Sequence, residues 1–147
     1  VTDAGTPGIQ DPGGQLVEAA RQSDILVVPI PGVSAVTTLL SVSGIPADRF
    51  YFAGYVPTKK GRETFLKHIL TLDQPVVFFE TAPRLIKLFD QLIDLGGENR
   101  TIIIGREMTK MFERYVAGTP GDILRFIAEV AQFKKGEFTI IIQFPIS

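Results

Sequence analysis

The chain has 147 residues, 45% hydrophobic and 21% charged, a composition typical of one globular domain and not of a disordered tail. It has no cysteine, which excludes disulfides and thiolate metal sites, and it has no apolar run of transmembrane length and no signal-peptide pattern, so it is expected to be soluble and cytoplasmic. Residues 1–58 carry five acids and two bases, whereas residues 59–147 carry 11 acids and 13 bases, so an RNA substrate would need a local basic patch.

Helix and strand signals alternate along the first part of the chain. A helix is predicted after the cap Asp11-Pro12 and another after Ser34, the second ending at Gly44. Strands are predicted at residues 25–30 and 51–56, which are short apolar runs. The first helix would bury a stripe made of Leu16, Val17, Ala19 and Ala20.

The second part of the chain repeats this rhythm. Gly96-Gly97 is typical of a helix end, and Thr119 with Asp122 resembles a capping box. The alternation predicts an α/β fold with a mixed or mostly parallel sheet flanked by helices. Helices are predicted at 61–72, from Pro83 to about 95 and from Thr119; strands are predicted at 76–80, 101–105, 114–117 and 138–144. In the helix from Pro83, one face would carry Leu85, Phe89 and Leu92, with Ile86 and Ile93 beside them.

Two glycine-containing loops are candidate ligand sites. The loop from Asp3 to Gly14 matches neither a P-loop nor a dinucleotide-binding loop, and its acids disfavour a triphosphate. A ligand with positive charge and hydroxyl groups fits it better, although a plain strand–turn–helix connection explains the composition equally well. Ser34, in the loop at 31–35, can bind a ligand or simply cap a helix.

Polar residues also follow the predicted strands of the second part. Arg106 to Lys110 follows strand 101–105, and Glu80 ends strand 76–80; both runs can line a cleft or be solvated. The cluster at 59–62 suits phosphate contact or plain exposure. His68 is the only histidine, and without a second ligand it is expected on the surface and not in a metal or catalytic site.

Six motifs follow one another along the chain. They are Val-Thr-Asp-Ala-Gly-Thr-Pro-Gly-Ile-Gln-Asp-Pro-Gly at 1–13, Pro-Gly-Val-Ser-Ala at 31–35, Gly-Ile-Pro-Ala-Asp-Arg-Phe at 44–50, Phe-Phe-Glu-Thr-Ala-Pro-Arg at 78–84, Arg-Glu-Met-Thr-Lys at 106–110 and Lys-Gly-Glu-Phe at 135–138. Together they resemble the small-subunit ribosomal RNA methyltransferases of the tetrapyrrole methylase superfamily. The resemblance implies that fold, S-adenosylmethionine as cofactor, methyl transfer to the ribose 2′-OH of a cytidine in small-subunit rRNA, and a homodimer without metal or membrane.

The resemblance also implies roles for individual residues. Glu107 and Lys110 are the candidates for orienting or deprotonating the ribose hydroxyl. The candidate RNA contacts are Lys59, Lys60, Arg62, Arg84 and Arg106. The candidate cofactor contacts are Asp3, Ala4, Gly5, Thr6, Ile9, Ser34, Ala35, Phe79, Glu80, Thr81, Gly136 and Glu137.

One departure from the family shapes the domain prediction. Members of the family carry an N-terminal segment that this sequence lacks, so residues 1–50 are expected to end an N-terminal subdomain and residues 51–147 to form the C-terminal one. The chain alone is then expected to be inactive. Two alternatives remain open: a methyltransferase acting on a tetrapyrrole, and a non-catalytic dimerisation module with the strand at 138–144 in its interface.

Overall fold

The chain divides into two compact units. The computed structural model describes residues 5–144, and the division falls between Ala35 and Val36. Helix α1 (Gly14–Gln22) belongs to the first unit, and α2 (Ala35–Ser43) begins at the boundary. The sequence-based boundary near residue 50 differs because the buried residues of α2, Val36, Leu39 and Leu40, pack in the core of the second unit.

The first unit differs from its predicted form. Helix α1 starts at Gly14 with Gly13 as its N-cap, two residues after the predicted start at Pro12. None of its residues is buried, so the predicted buried stripe is wrong for this structure. Residues 25–30 form no strand, and their apolar side chains are largely exposed. A strand requires a neighbouring strand to which it can hydrogen-bond, and the described part of the first unit contains no strand.

The second unit is built on one five-stranded mixed sheet, as predicted. The strand order is β1-β2-β5-β3-β4, with β1 parallel to β2 and every other neighbouring pair antiparallel. The elements after α2 are β1 (Tyr51–Tyr55), α3 (Arg62–Thr71), β2 (Val76–Thr81), α4 (Ala82–Asp94), β3 (Ile102–Arg106), β4 (Arg114–Gly118), α5 (Pro120–Glu129), a 3₁₀ turn (Ala131–Lys134) and β5 (Glu137–Ile142).

Strand directions bring three carboxyl ends to one end of the sheet. Strand β5 is antiparallel to both β2 and β3, so β2 and β3 run the same way, and β1 is parallel to β2. The segments that follow β1, β2 and β3 therefore leave the sheet at the same end, together with the start of β5. We call this the carboxyl end of the sheet. It is where open α/β sheets usually hold ligands.

The sheet is covered on both faces. Alternate residues of β2 point in opposite directions, so Val76 and Phe78 join the core under α3, α4 and α5, whereas Val77 packs toward α2. Strand β5 lies in the middle of the sheet and is buried from Phe138 to Ile142. Because both of its edges are hydrogen-bonded, the suggestion that this strand forms a subunit interface is wrong.

Local signals set the helix ends. The Thr119 hydroxyl accepts from the Asp122 backbone N–H, and the Asp122 carboxylate accepts from Thr119, which confirms the capping box of α5. Gly44 and Gly96 follow α2 and α4 with positive φ, as helix-terminating glycines do. The predicted face of α4 is confirmed, since Leu85, Phe89 and Leu92 are buried; Leu88 joins them, and Ile86, predicted beside that face, is exposed.

Candidate functional site at the carboxyl end of the sheet

Most candidate residues of the second unit lie at the carboxyl end of the sheet. Thr81, at the end of β2, is in register with Glu137 at the start of β5, and Arg106, at the end of β3, is in register with Phe138. Residues from three separate stretches of sequence are thus neighbours. The topology therefore places the motifs at 78–84, 106–110 and 135–138 at the same end of the sheet.

Glu107, Lys110 and Glu137 form a charged cluster there. The Lys110 ammonium lies 3.0 Å from Glu137 Oε2 and 3.5 Å from Glu107 Oε1. Glu107 is also joined to Glu137 through the backbone, because its N–H donates to the Glu137 carbonyl and its Oε1 accepts from the Glu137 N–H at 2.8 Å. This double link ties the end of β3 to the start of β5.

The backbone of this cluster requires unusual conformations. Glu107 has a φ of 47° and Gly136 a φ of 113°, both in the region that L side chains rarely adopt. A Cβ on Gly136 would lie 3.1 Å from Glu107 Oε1 and 3.3 Å from Arg106 Nε. Glycine at 136 therefore leaves room for the Glu107 carboxylate to reach the backbone of Glu137.

The cluster keeps both of its shifted groups charged. The backbone N–H of Glu137, together with Lys110, lowers the pKa of the Glu107 carboxyl. The hydrogen bond to Glu137 and the charge of Glu107 raise the pKa of the Lys110 ammonium. At neutral pH Glu107 is a weak base and Lys110 carries no free lone pair, so the pair is suited to orienting a hydroxyl group and poorly suited to removing its proton.

Arg106 is a buried brace for the backbone around this cluster. Its Nε donates to the Lys135 carbonyl and its Nη1 to the Phe112 carbonyl, both at 3.0 Å. Its guanidinium also lies over the Phe133 ring, 5.8 Å from the centroid. With these partners and a buried side chain, Arg106 does not present its charge to an RNA phosphate, which corrects its predicted role.

Glu80 lies in a second, interior charged group. Its side chain is 0% exposed, and its Oε2 lies 3.1 Å from Arg84 Nη2 and 3.5 Å from Arg62 Nη1. Arg62 also donates to Gln91 Oε1 and to the Pro57 carbonyl, and is only 6% exposed. The three residues join the ends of β1 and β2 to α3 and α4.

This arrangement corrects three sequence-based assignments. Glu80 points into the interior between β2 and the helices, so it does not line the same surface as Phe79, whose ring packs on Phe52 and Tyr55 on the other face. Arg62 is enclosed, and Arg84 binds Glu80 and the carbonyls of Val56 and Pro57. The Arg62 guanidinium is thus closed off from RNA, whereas Arg84 is 26% exposed and directs its guanidinium at Glu80 and at these carbonyls.

Lys59 and Lys60 are exposed and can still serve as the predicted contacts to RNA phosphates. Both follow β1, at the carboxyl end of the sheet, and both are exposed. Within residues 5–144 no carboxylate lies within ion-pair distance of either ammonium. His68 is exposed on α3, as expected, with its ring edge-on to Tyr51.

In the first unit, the two loops predicted to contact a cofactor lie together. The Thr6 hydroxyl donates to the Val33 carbonyl at 3.1 Å, next to Ser34 and Ala35. Gly5 and Gly8 have φ of 70° and 80°, which explains the glycines of this loop. Ile9 is exposed, and Ser34 and Ala35 are half-buried. Asp3 and Ala4 lie outside the described residues.

Sequence reasoning missed several residues around these groups. Gln91 and the Pro57 carbonyl fix Arg62, and the Phe112 and Lys135 carbonyls fix Arg106. Backbone acceptors leave no mark in a sequence. In the part of the chain that the structure describes, no group of three metal-ligating side chains occurs and no helix is long and apolar enough to cross a membrane.

Comparison with known proteins identifies related sequences. The profile of the family described as Tetrapyrrole (Corrin/Porphyrin) Methylases matches residues 1–124. A protein of Escherichia coli O157:H7 named Ribosomal RNA small subunit methyltransferase I is 39% identical over 97% of this chain and 50% of its own length. A protein of the same name from Leptospira biflexa is 41% identical over 97% of this chain and 58% of its own length. The chain spans about half the length of these curated relatives.

Solved structures support the fold. The methyltransferase CobJ aligns with a TM-score of 0.64 at 15% identity, over 95% of this chain and 62% of that one. A uroporphyrin-III C-methyl transferase from Thermus thermophilus, complexed with S-adenyl homocysteine, aligns with a TM-score of 0.55 at 20% identity, over 93% of this chain and 62% of that one. At these identities the likeness extends to the fold alone.

Proposed function

Because the chain belongs to the tetrapyrrole methylase family, we propose that the full-length protein transfers a methyl group from S-adenosylmethionine to the ribose 2′-OH of a cytidine in small-subunit rRNA. The observation that carries this proposal is the gathering, at the carboxyl end of the sheet, of a charged orienting cluster and exposed lysines. The names of relatives near 40% identity support the RNA substrate.

The loops of the first unit fit a sulfonium nucleoside. The Thr6–Val33 hydrogen bond holds the glycine-rich loop beside Ser34, and a Cβ on Gly8 would meet nothing within 4 Å, so a ligand can approach this backbone closely. We assign Gly5, Thr6, Ile9, Ser34 and Ala35 to the cofactor. When bound, S-adenosylmethionine would supply an electrophilic methyl group. The predictions for Asp3, Ala4, Phe79, Thr81, Gly136 and Glu137 stay predictions.

Glu107 and Lys110 would orient the acceptor hydroxyl. The Lys110 ammonium keeps its proton and can donate a hydrogen bond to the ribose oxygen, while Glu107, held by the Glu137 backbone, can accept a hydrogen bond from the hydroxyl group. Such positioning converts an encounter into an aligned in-line attack, which is a large part of what an enzyme supplies to methyl transfer. The lowered pKa of Glu107 argues against a base that takes the proton fully before the methyl group moves.

Of the five predicted RNA contacts, the proposal keeps the two exposed lysines. Lys59 and Lys60 would bind RNA phosphates. We assign a positioning role to Arg62, Arg84 and Arg106. Each donates its hydrogen bonds to Glu80 or to backbone carbonyls and so holds the neighbouring segments in place. A homodimer and a cytoplasmic location complete the proposal, and sedimentation of the purified protein tests the first of them.

The proposal is tested with the full-length protein, tritiated S-adenosylmethionine and small ribosomal subunits that lack the modification. We expect label in small-subunit rRNA, on the ribose of one cytidine after nuclease digestion and chromatography. Label in a corrin or porphyrin precursor, and none in RNA, would establish the tetrapyrrole alternative instead. A Lys59→Gln, Lys60→Gln double variant should raise KM for the subunits and leave S-adenosylhomocysteine binding unchanged.

A further inference from the structure

The loop between β3 and β4 displays two apolar side chains to solvent. Residues 107–113 connect the antiparallel strands, and Met111 and Phe112 are 90% and 65% exposed. Met108, in the same loop, instead packs inward against Gly105 and the core beside α2. The loop therefore has one apolar residue that anchors it and two that face water, at a cost in free energy that a bound partner would relieve.

This loop is braced, so its exposed residues are held in place. The Thr109 N–H donates to Glu113 Oε2 at 2.6 Å, and the backbone N–H groups of Lys110 and Glu113 donate to the carbonyls of Glu107 and Lys110. The buried Arg106 guanidinium binds the carbonyl of Phe112 itself. An aromatic side chain on an ordered backbone has few rotatable bonds, so it loses little conformational entropy when it binds a partner.

Cations without an ion-pair partner lie in the segments next to these two apolar residues. Arg106 binds the Phe112 and Lys135 carbonyls with one guanidinium, so the loop lies beside Lys134 and Lys135, and Arg114 directly follows the loop. Among the described residues, no carboxylate lies within ion-pair distance of Arg114, Lys134 or Lys135. Of the nearby acids, Glu107 and Glu137 share the Lys110 ammonium, whereas Glu113 accepts from the Thr109 N–H and keeps its negative charge. Arg114, Lys134 and Lys135 outnumber that one unpaired carboxylate.

We propose that Phe112, supported by Met111, stacks on an unpaired base of the RNA substrate while Arg114, Lys134 and Lys135 bind the flanking phosphates. An exposed ring among free cations is the combination that single-stranded nucleic acid requires, because bases stack on aromatic rings and phosphates need positive charge. Three unpaired cations complement the phosphates of RNA better than they complement the mixed charges of a typical protein surface. The inference rests on the proposed function and places a base-holding residue two positions from the orienting residue Lys110.

The test uses the full-length protein and a short single-stranded RNA, with binding followed by fluorescence anisotropy over a series of salt concentrations. Phe112→Ala should weaken binding by about 5- to 100-fold and leave the slope of log K against log salt unchanged, because the charge of the protein stays the same. A Lys134→Gln, Lys135→Gln double variant should make that slope shallower by about 0.7 for each phosphate that the protein no longer neutralises. Phe112→Trp should retain affinity, and its fluorescence should be quenched by RNA.

Val42→Ala is the matched control. Val42 is also largely exposed, but it lies near the C-terminus of α2, which leads to the start of β1 at the opposite end of the sheet. Its RNA affinity should equal that of the parent. S-adenosylhomocysteine binding should be unchanged in every variant.

The outcomes separate this inference from the proposed function. If the parent methylates rRNA and Phe112→Ala binds RNA and methylates it like the parent, the stacking role is refuted and the proposed function stands. If Phe112→Ala changes the oligomeric state with no change in RNA affinity, the apolar pair is an interface between copies of the chain and the inference is also refuted. If the parent neither binds nor methylates RNA, the proposed function itself fails.

Discussion

Replacing Glu80 with glutamine should destabilise the second unit strongly. The variant keeps the size of the side chain and an oxygen that can accept from the Thr81 N–H, as Glu80 Oε1 does at 2.9 Å. It removes the negative charge that faces Arg62 and Arg84. Because the Glu80 side chain is wholly buried and Arg62 is nearly so, the substitution leaves an uncompensated charge in the interior.

The size of the effect follows from the burial of the two guanidinium groups. Breaking a buried ion pair by removing one partner costs about 3–5 kcal/mol. Arg84 is partly exposed and can regain water, so we expect the lower end, about 3 kcal/mol, which corresponds to a fall in Tm of about 6–12 °C for a chain of this size. Thermal unfolding followed by circular dichroism measures it.

Asp73→Asn provides the matched control. Asp73 and Arg49 form an ion pair of similar length, 3.4 Å, but both side chains are exposed, so its removal should cost about 0–1 kcal/mol. If Glu80→Gln unfolds at the parental temperature and yet no longer binds S-adenosylhomocysteine, Glu80 contacts the cofactor, as the motif at 78–84 suggested. The interpretation of Glu80 as an interior tie would then be wrong.

Two further predictions concern the Glu107 cluster. The Glu137 backbone lowers the pKa of Glu107, so the stability that Glu107 contributes is present above the ordinary carboxyl pKa and is lost on acidification. The pKa of Lys110 is raised, so the stability that Lys110 contributes is lost only as the pH rises through that raised pKa. Lys110→Gln should therefore slow methylation by a similar factor at every pH between about 6 and 9, with partial rescue by Lys110→Arg; a variant that abolishes a pH-dependent limb of the rate profile would make Lys110 the base. Gly136→Ala should lower Tm more than Gly44→Ala. Both substitutions carry the strain of a positive φ, about 1–2 kcal/mol, but only the Cβ at 136 meets the Glu107 carboxylate. Equal decreases in the Tm of the two variants would show that this close approach does not matter.

Local signals in the sequence predicted much of the second unit. The capping box at Thr119, the glycine after α2 and the apolar run of β2 each act over a few residues, and each is confirmed. The order of the strands was not predictable in this way. It depends on pairings such as that of Val76 with Ile142, which are far apart in the chain.

The sequence predicted the motifs of the candidate site, but not which of their side chains are buried. The motif at 106–110 does lie beside that at 135–138, and Glu107 and Lys110 do meet. A basic residue in a motif, however, indicates charge and not burial. Arg62 and Arg106 were assigned to phosphates because nothing local shows that Glu80, or a pair of distant carbonyls, would enclose them. The strand prediction for residues 25–30 is wrong because an apolar run indicates a strand but does not show whether a neighbouring strand is present.

The position of β5 governs the order in which this unit can assemble. It is the last strand along the described chain, yet it lies between β2 and β3, and without it the sheet is two separate ribbons, β1-β2 and β3-β4. During synthesis each ribbon has an unpaired strand edge until residues 137–142 have left the ribosome. Lys110 and Glu107 gain their Glu137 partner only at that moment, so a nascent chain cannot present a completed cluster to the ribosome that is making it.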